Sequence, residues 1–226
     1  MRYASLILIV LVLVVSSVRA EVEESLVKDI SVVYEDGGRL GLSPDGTRIA
    51  FDRAGKDERY DLYVGNAEGE TLLSLTAGRK GHEGQNGNPV WHPNGRHIIF
   101  QAQDNSLGDL GIKSVALLKS NPGIGVHNNL WIADTESGSL HKLTSISQDE
   151  GTLHPQVSHD GKKLLWSKLI GSSDSGTGVL VIQLADLVLN DEPRLENIRT
   201  LTPGGLMLYE THGFSADDTT ILFSGI

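Results

Sequence analysis

One short phrase occurs four times in this 226-residue chain: LSPDGTRIAF from Leu42, WHPNGRHIIF from Trp91, VSHDGKKLLW from Val157 and FSADDTTILF from Phe214. Each copy opens on an apolar residue, turns through Asp or Asn, and closes on alternating apolar positions that end in an aromatic. A unit repeated at a period near 50 residues cannot bury its own apolar face, so it must stack on its neighbours as a propeller, solenoid or array. The turn residues Asp45, Asn94, Asp160 and Asp217 are separated by 49, 66 and 57 positions, which implies a constant core with variable loops.

The phrase is a tight β-hairpin. Asp-Gly and Asn-Gly supply the positive φ that a short turn demands, and the flanking residues alternate with period two. Ile49 and Phe51, Ile98 and Phe100, Leu164 and Trp166, and Ile221 and Phe223 therefore share one face of their strands. The last copy has Asp218 in place of glycine, which the left-handed region tolerates less well, so this turn is expected to be the loosest. A second pair of strand-like runs follows each of the first three hairpins: 60–64 and 72–76, 129–133 and 140–144, then 179–184 and 198–202. All three units close on Leu-Thr, at Leu75-Thr76, Leu143-Thr144 and Leu201-Thr202. Four short antiparallel strands per unit make a propeller blade. The fold class expected is all-β, with blades at about 39–76, 88–144 and 154–202 and a terminal hairpin at 211–226.

At these residues the chain resembles the TolB-type β-propeller repeat of bacterial envelope proteins, which runs W-S-P-D-G-x-x-I-A-F, then (I/L)-Y-V, then L-T. The resemblance extends from about Arg39 to the end and implies the fold far more strongly than any one activity. It implies a scaffold that binds a protein or peptide. The alternative is a propeller enzyme: a metal-dependent polysaccharide lyase, or the propeller part of a prolyl-oligopeptidase-like peptidase with its catalytic domain missing. The fourth unit stops in or just after its second strand, so the chain is expected to be the front part of a longer propeller, with two exposed faces that favour self-association.

At the other end, Met1 to Tyr3 carry one positive charge, residues 4–15 are almost wholly apolar, and Val18-Arg19-Ala20 places small residues at −3 and −1. That is the form of a secretory signal peptide cut after Ala20, giving a periplasmic or secreted chain without membrane insertion of the mature part. There is no cysteine, which excludes a lipid-modified lipoprotein and any disulfide. The mature chain carries 17 basic and 29 acidic residues, a net charge of −12. So acidic a surface argues against nucleic acid and anionic membranes as partners. Residues 21–36 stand apart, and Val32-Val33-Tyr34 is read as a strand lent to a closing blade.

No Gly-x-Ser-x-Gly elbow, Walker loop, HExxH or cysteine cluster is present, and no catalytic residue is assigned. The turn acids are read as capping their own turns, and Trp91, Trp131 and Trp166 as core. If strands run from the axis outward, the Asp-Gly turns lie on one rim. The long stretches 77–87, 103–127 and 169–177 lie on the other, with 185–197 as the exception. Long loops in a compact domain carry function more often than not. His82, His127, His154 and His212 follow the same bias. His154 matches Asn88 and Thr211 at the start of an innermost strand, and Glu210 precedes His212 by two residues. His154, Glu210, His212 and Asn88 are therefore the candidate ligand-binding residues at the channel mouth. No cofactor is required, although imidazole with carboxylate is a donor set that suits a divalent metal.

Overall fold

The computed structural model describes residues 32–35, 37–107, 120–172 and 178–226. Period-two alternation produces strands throughout. The first sheet holds β1 (Gly37–Leu42), β2 (Arg48–Ala54), β3 (Tyr60–Asn66) and β4 (Thr71–Ser74). The second holds β5 (Asn86–Trp91), β6 (His97–Gln103), β7 (Asn128–Asp134) and β8 (Leu140–Lys142), and the third β9 (Gly151–Val157), β10 (Lys163–Ser172), β11 (Gly178–Val188) and β12 (Arg194–Leu201). Strands β13 (Tyr209–Phe214) and β14 (Ile221–Gly225) form a final hairpin. Every sheet is antiparallel with its strands in sequence order. The architecture is all-β: three four-stranded blades followed by a two-stranded one.

The turn acids do what a short turn requires. Asp45 Oδ1 accepts from Ser43 Oγ at 2.6 Å and Thr47 N at 3.1 Å, and Ser43 Oγ accepts in turn from Arg48 N. Asp160 with Ser158 and Asp217 with Ser215 repeat the device. In the second blade His92 replaces the serine: its Nδ1 accepts from Asn94 N, and its Nε2 donates to Gly161 O of the next blade's turn at 2.9 Å. Neighbouring turns are tied at every step, since Arg48 Nη2 donates to Gly95 O and the Asp218 carboxylate accepts from His159 N and Asp160 N. Asp218 does adopt positive φ, 57°. That turn is nonetheless bonded to its neighbour, because the carboxylate that replaces glycine reaches across to the third blade.

The closing Leu-Thr also has a physical role. Leu75 is fully buried and continues the ladder to Leu62 O, while Thr76 Oγ1 accepts from Leu62 N and donates to Asp61 Oδ1. Thr144 does the same with Leu130 N and Asn129 Oδ1. The hydroxyl thus satisfies a backbone donor where the outer strand ends.

Apolar faces meet between sheets. Ala50, Leu62, Val64 and Leu75 pack on Trp91, Ile98 and Phe100; Ile99, Leu130 and Ile132 pack on Leu164, Trp166 and Ala185; Leu165 and Ile182 pack on Tyr209. Strands β1, β5, β9 and β13 each touch the next, so they are the innermost strands. Thr135 N and Oγ1 both donate to Arg96 O, which puts the first and third connections of a blade on the same rim. The long connections occupy the opposite rim, although 108–119 and 173–177 lie outside the described residues.

Residues 32–34 are not a strand. Tyr34 lies flat on Phe51, with ring centroids 4.1 Å apart, and its hydroxyl reaches the carbonyls of Asn66 and Glu70 in the β3–β4 turn. It covers the face of its own first blade, because aromatic stacking is available there. The signal segment and its cut site lie outside the described residues, and no helix among the described residues is long and apolar enough to cross a membrane.

Trp166 is buried with an indole N–H that has no partner among the described residues, where the other three units carry Phe51, Phe100 and Phe223. Trp166→Phe removes that orphan donor and is expected to change stability by less than about 1 kcal/mol, whereas Trp166→Ala costs about 3 to 5 kcal/mol, both read from urea unfolding. The Asp45 and Asp217 carboxyls are held down to about 2, mainly by the Ser43 and Ser215 hydroxyls. Their contribution is complete above the unfolded value of 3.8 and is lost as pH falls through about 2. The urea midpoint should drop across that window, and drop less in an Asp45→Asn, Asp217→Asn variant.

Candidate functional site

Each innermost strand breaks its register with its partner at one place: between Gly37 and Leu40, Gly87 and Val90, Leu153 and Gln156, and Thr211 and Gly213. Six residues before the turn residue stand Arg39, Asn88, His154 and Thr211; the first three lie in these bulges, while Thr211 is the paired residue beside its own. Asn88 and His154 have φ of 53° and 49° and are followed by Pro89 and Pro155. A left-handed residue in a bulge re-aims its side chain, and outside glycine it is a strained choice that marks sites.

The bulges are held from behind. Seven residues after the turn acid stand Asp52, Gln101, Ser167 and Ser224. Buried Asp52 accepts from Arg39 N at 2.7 Å, from Arg39 Nη1 at 3.3 Å and, across the interface, from Asn88 N at 2.8 Å. Gln101 accepts from Asn88 Nδ2 and donates to Thr152 O in the third blade. Ser167 Oγ accepts from Thr211 N of the final hairpin, and Thr211 Oγ1 donates back to His154 O. A Cβ on Gly38 or Gly87 would come within 2.2 Å of an Asp52 oxygen, so only glycine fits beside this carboxylate.

His154 is half-buried, and among the described residues its ring makes no hydrogen bond. Burial keeps its pKa below the usual imidazole value; Glu210 opposes that shift, while His212 and Arg39 add to it. Groups from the first, third and fourth blades therefore act on one another here. Glu210 and His212 are exposed on β13, and His212 Nε2 lies 2.9 Å from Ser224 Oγ. Asn88 is half-buried and committed to Gln101. Arg39 was missed in the sequence; aligning the first unit on its turn acid places it in the series. Among the described residues, no three His, Cys, Asp or Glu side chains are placed to share an ion, so the metal reading of His154, Glu210 and His212 is not carried further.

Three other histidines serve local structure. His82 Nδ1 meets Asn86 Oδ1 at 3.0 Å, His127 Nε2 accepts from Asp149 N, and His92 ties two turns. Trp91 and Trp166 are core, as expected, but Trp131 is half-exposed: it forms one wall of a cavity of about 390 Å3 on the long-loop rim. A second cavity, about 370 Å3, lies on the Asp-Gly rim below the β11–β12 connection, beside His97, Asp134 and His141. The Arg96 there is fully engaged by Asp134 and Glu136.

Removing Asp52 leaves a buried amide and a guanidinium without their acceptor, so Asp52→Ala should cost about 3 to 5 kcal/mol in urea unfolding. His154→Gly, by contrast, relieves the left-handed backbone and should change stability by no more than about 1 kcal/mol.

No protein-family model matches the sequence, and no curated protein is similar enough to place it in a family. Solved structures are similar to it in fold. A putative TolB from Agrobacterium tumefaciens superposes with a TM-score of 0.52 at 21% identity, over 75% of this chain and 51% of that one. TolB from Acinetobacter baumannii gives 0.52 at 20% identity, over 83% of this chain and 37% of that one. The chain thus spans about half or less of the length of these proteins, and its fold is a TolB-type β-propeller whose blades form an open ring.

Proposed function

We propose that the chain is an exported β-propeller scaffold, with residues 1–20 as a signal peptide and 21–226 as propeller repeats, that binds a protein or peptide on its long-loop rim. His154, Glu210, His212 and Asn88 form the channel-mouth part of the site, with Arg39 beside them. The observation that carries this reading is His154: a half-buried imidazole held in a strained conformation, without a hydrogen bond among the described residues, within electrostatic reach of residues from two other blades. Strain kept without a structural partner is a mark of a binding position. The similarity to TolB structures agrees with a scaffold, and the acidic surface favours a basic partner.

Selection of displayed peptides on the purified chain tests the proposal. Selected peptides should lose at least about tenfold in affinity, about 1.4 kcal/mol, in a His154→Ala, Glu210→Gln, His212→Ala variant. They should bind unchanged to Asn94→Ala, which alters the opposite rim. Peptides that respond to Asn94 and ignore the channel mouth would overturn the site. Export predicts that the chain recovered from an expressing bacterium begins at Glu21 and lies outside the cytoplasm; a cytoplasmic chain beginning at Met1 contradicts it.

A further inference from the structure

The cavity beside Trp131 lies away from the channel mouth and is not needed by the scaffold reading. It is lined by Gly81, Glu83 and Gln103, by Asp104 to Ser106, by the Trp131 indole and by Lys142. The indole is set rigidly. His82 meets it at 70° with centroids 4.6 Å apart, and is itself fixed by Asn86, whose Nδ2 donates to His82 O. In the first blade the equivalent ring, Tyr63, is capped by the Arg53 guanidinium at 4.5 Å; in the third blade the position is Gln183, bonded to Thr200. In the second blade the aromatic at this place forms the wall of a cavity. Gly84 lets Gln103 and Asn105 approach its backbone closely, since a Cβ there would sit 2.8 Å from Gln103 Oε1 and 2.9 Å from Asn105 Oδ1.

The polar lining has spare capacity of both kinds. Asp104 is saturated by Ser106, Asn129 and Lys142. Gln103 uses its carbonyl on Gln85 N, and Glu83 uses one oxygen on Gly81 N. Among the described residues, the Gln103 amide nitrogen, both ends of the Asn105 amide and the remaining Lys142 donors are left for a ligand. Asp104 is paired with Lys142 within the lining, and Glu83 is offset by Lys80, which lies outside it, so neither a strong cation nor a strong anion is favoured. A flat apolar wall, mixed donors and acceptors and no net charge match one chemistry: a ring whose C–H face stacks on indole while its hydroxyls both donate and accept. The geometry points to the Trp131 cavity as a subsite for a pyranose unit of an oligosaccharide.

Saturation-transfer NMR and tryptophan emission on the whole chain, with cellotriose, triacetylchitotriose and trigalacturonate as probes, test this directly. Trp91 and Trp166 are buried, so an emission change reports Trp131. At least one trisaccharide should bind with a millimolar or tighter constant. Trp131→Ala should abolish binding, and Asn105→Ala, at an exposed position, should weaken it by about tenfold, one neutral hydrogen bond. His154→Ala should leave it unchanged, which separates this site from the channel mouth. Binding by none of the three, binding that survives in Asn105→Ala at parental strength, or binding of acetyl-arginine amide in their place would each overturn the assignment.

Discussion

Everything in this molecule depends on one constraint: a blade has two faces and can bury neither alone. The apolar part of the solution is the layer between successive sheets, Leu62 and Val64 against Ile98 and Phe100, then Ile132 against Leu164 and Trp166. Such layers are non-directional and tolerate sliding. Directionality comes from polar contacts at the two ends of each interface. On the Asp-Gly rim a turn is tied to the next turn, and near the axis the residue seven beyond the turn acid reaches into the following blade's innermost strand. A nearest-neighbour architecture of this kind passes its geometry from one unit to the next.

The same contacts prepare the candidate site. Bulges in the innermost strands free Arg39, Asn88 and His154 from the pleat, and the forward-reaching side chains hold the bulged amides. Stability and recognition therefore share one strand segment but rest on different atoms. Asp52 and Ser167 grip backbone N–H groups of Asn88 and Thr211, while the His154 imidazole is left for something else.

The fold was legible in the sequence because its signals are local. An Asp-Gly turn, period-two alternation and a terminal Leu-Thr are each imposed by backbone geometry within a few residues, and so recur as letters. The axial contacts were not legible, because Asp52, Gln101 and Ser167 perform one task with three chemistries and leave no repeated letter. The interblade role of Asp218 was hidden for a related reason: backbone preference speaks only of its own turn, while its carboxylate accepts from His159 N and Asp160 N of the third blade. Tyr34 was read as part of a strand lent to a closing blade, yet its ring stacks on Phe51 of the first blade. Trp131 matched Tyr63 in register, so nothing along the chain distinguished a capped ring from an open one. The convergence of His154 with Glu210 and His212 was reachable by aligning innermost strands, and Arg39 required the same alignment carried to the first unit.

Amide hydrogen exchange measures the central claim directly. If forward-reaching side chains lock each innermost strand, the amides of Asn88 and Thr211 exchange as slowly as ladder amides of β6 and β10 in the parent chain. In Ser167→Ala, Thr211 should then exchange much faster while Asn88 stays protected, and in Asp52→Asn the pattern should reverse. Rapid exchange at both amides in the parent, or equal loss of protection at both sites in each variant, would contradict an interface built from separate polar locks.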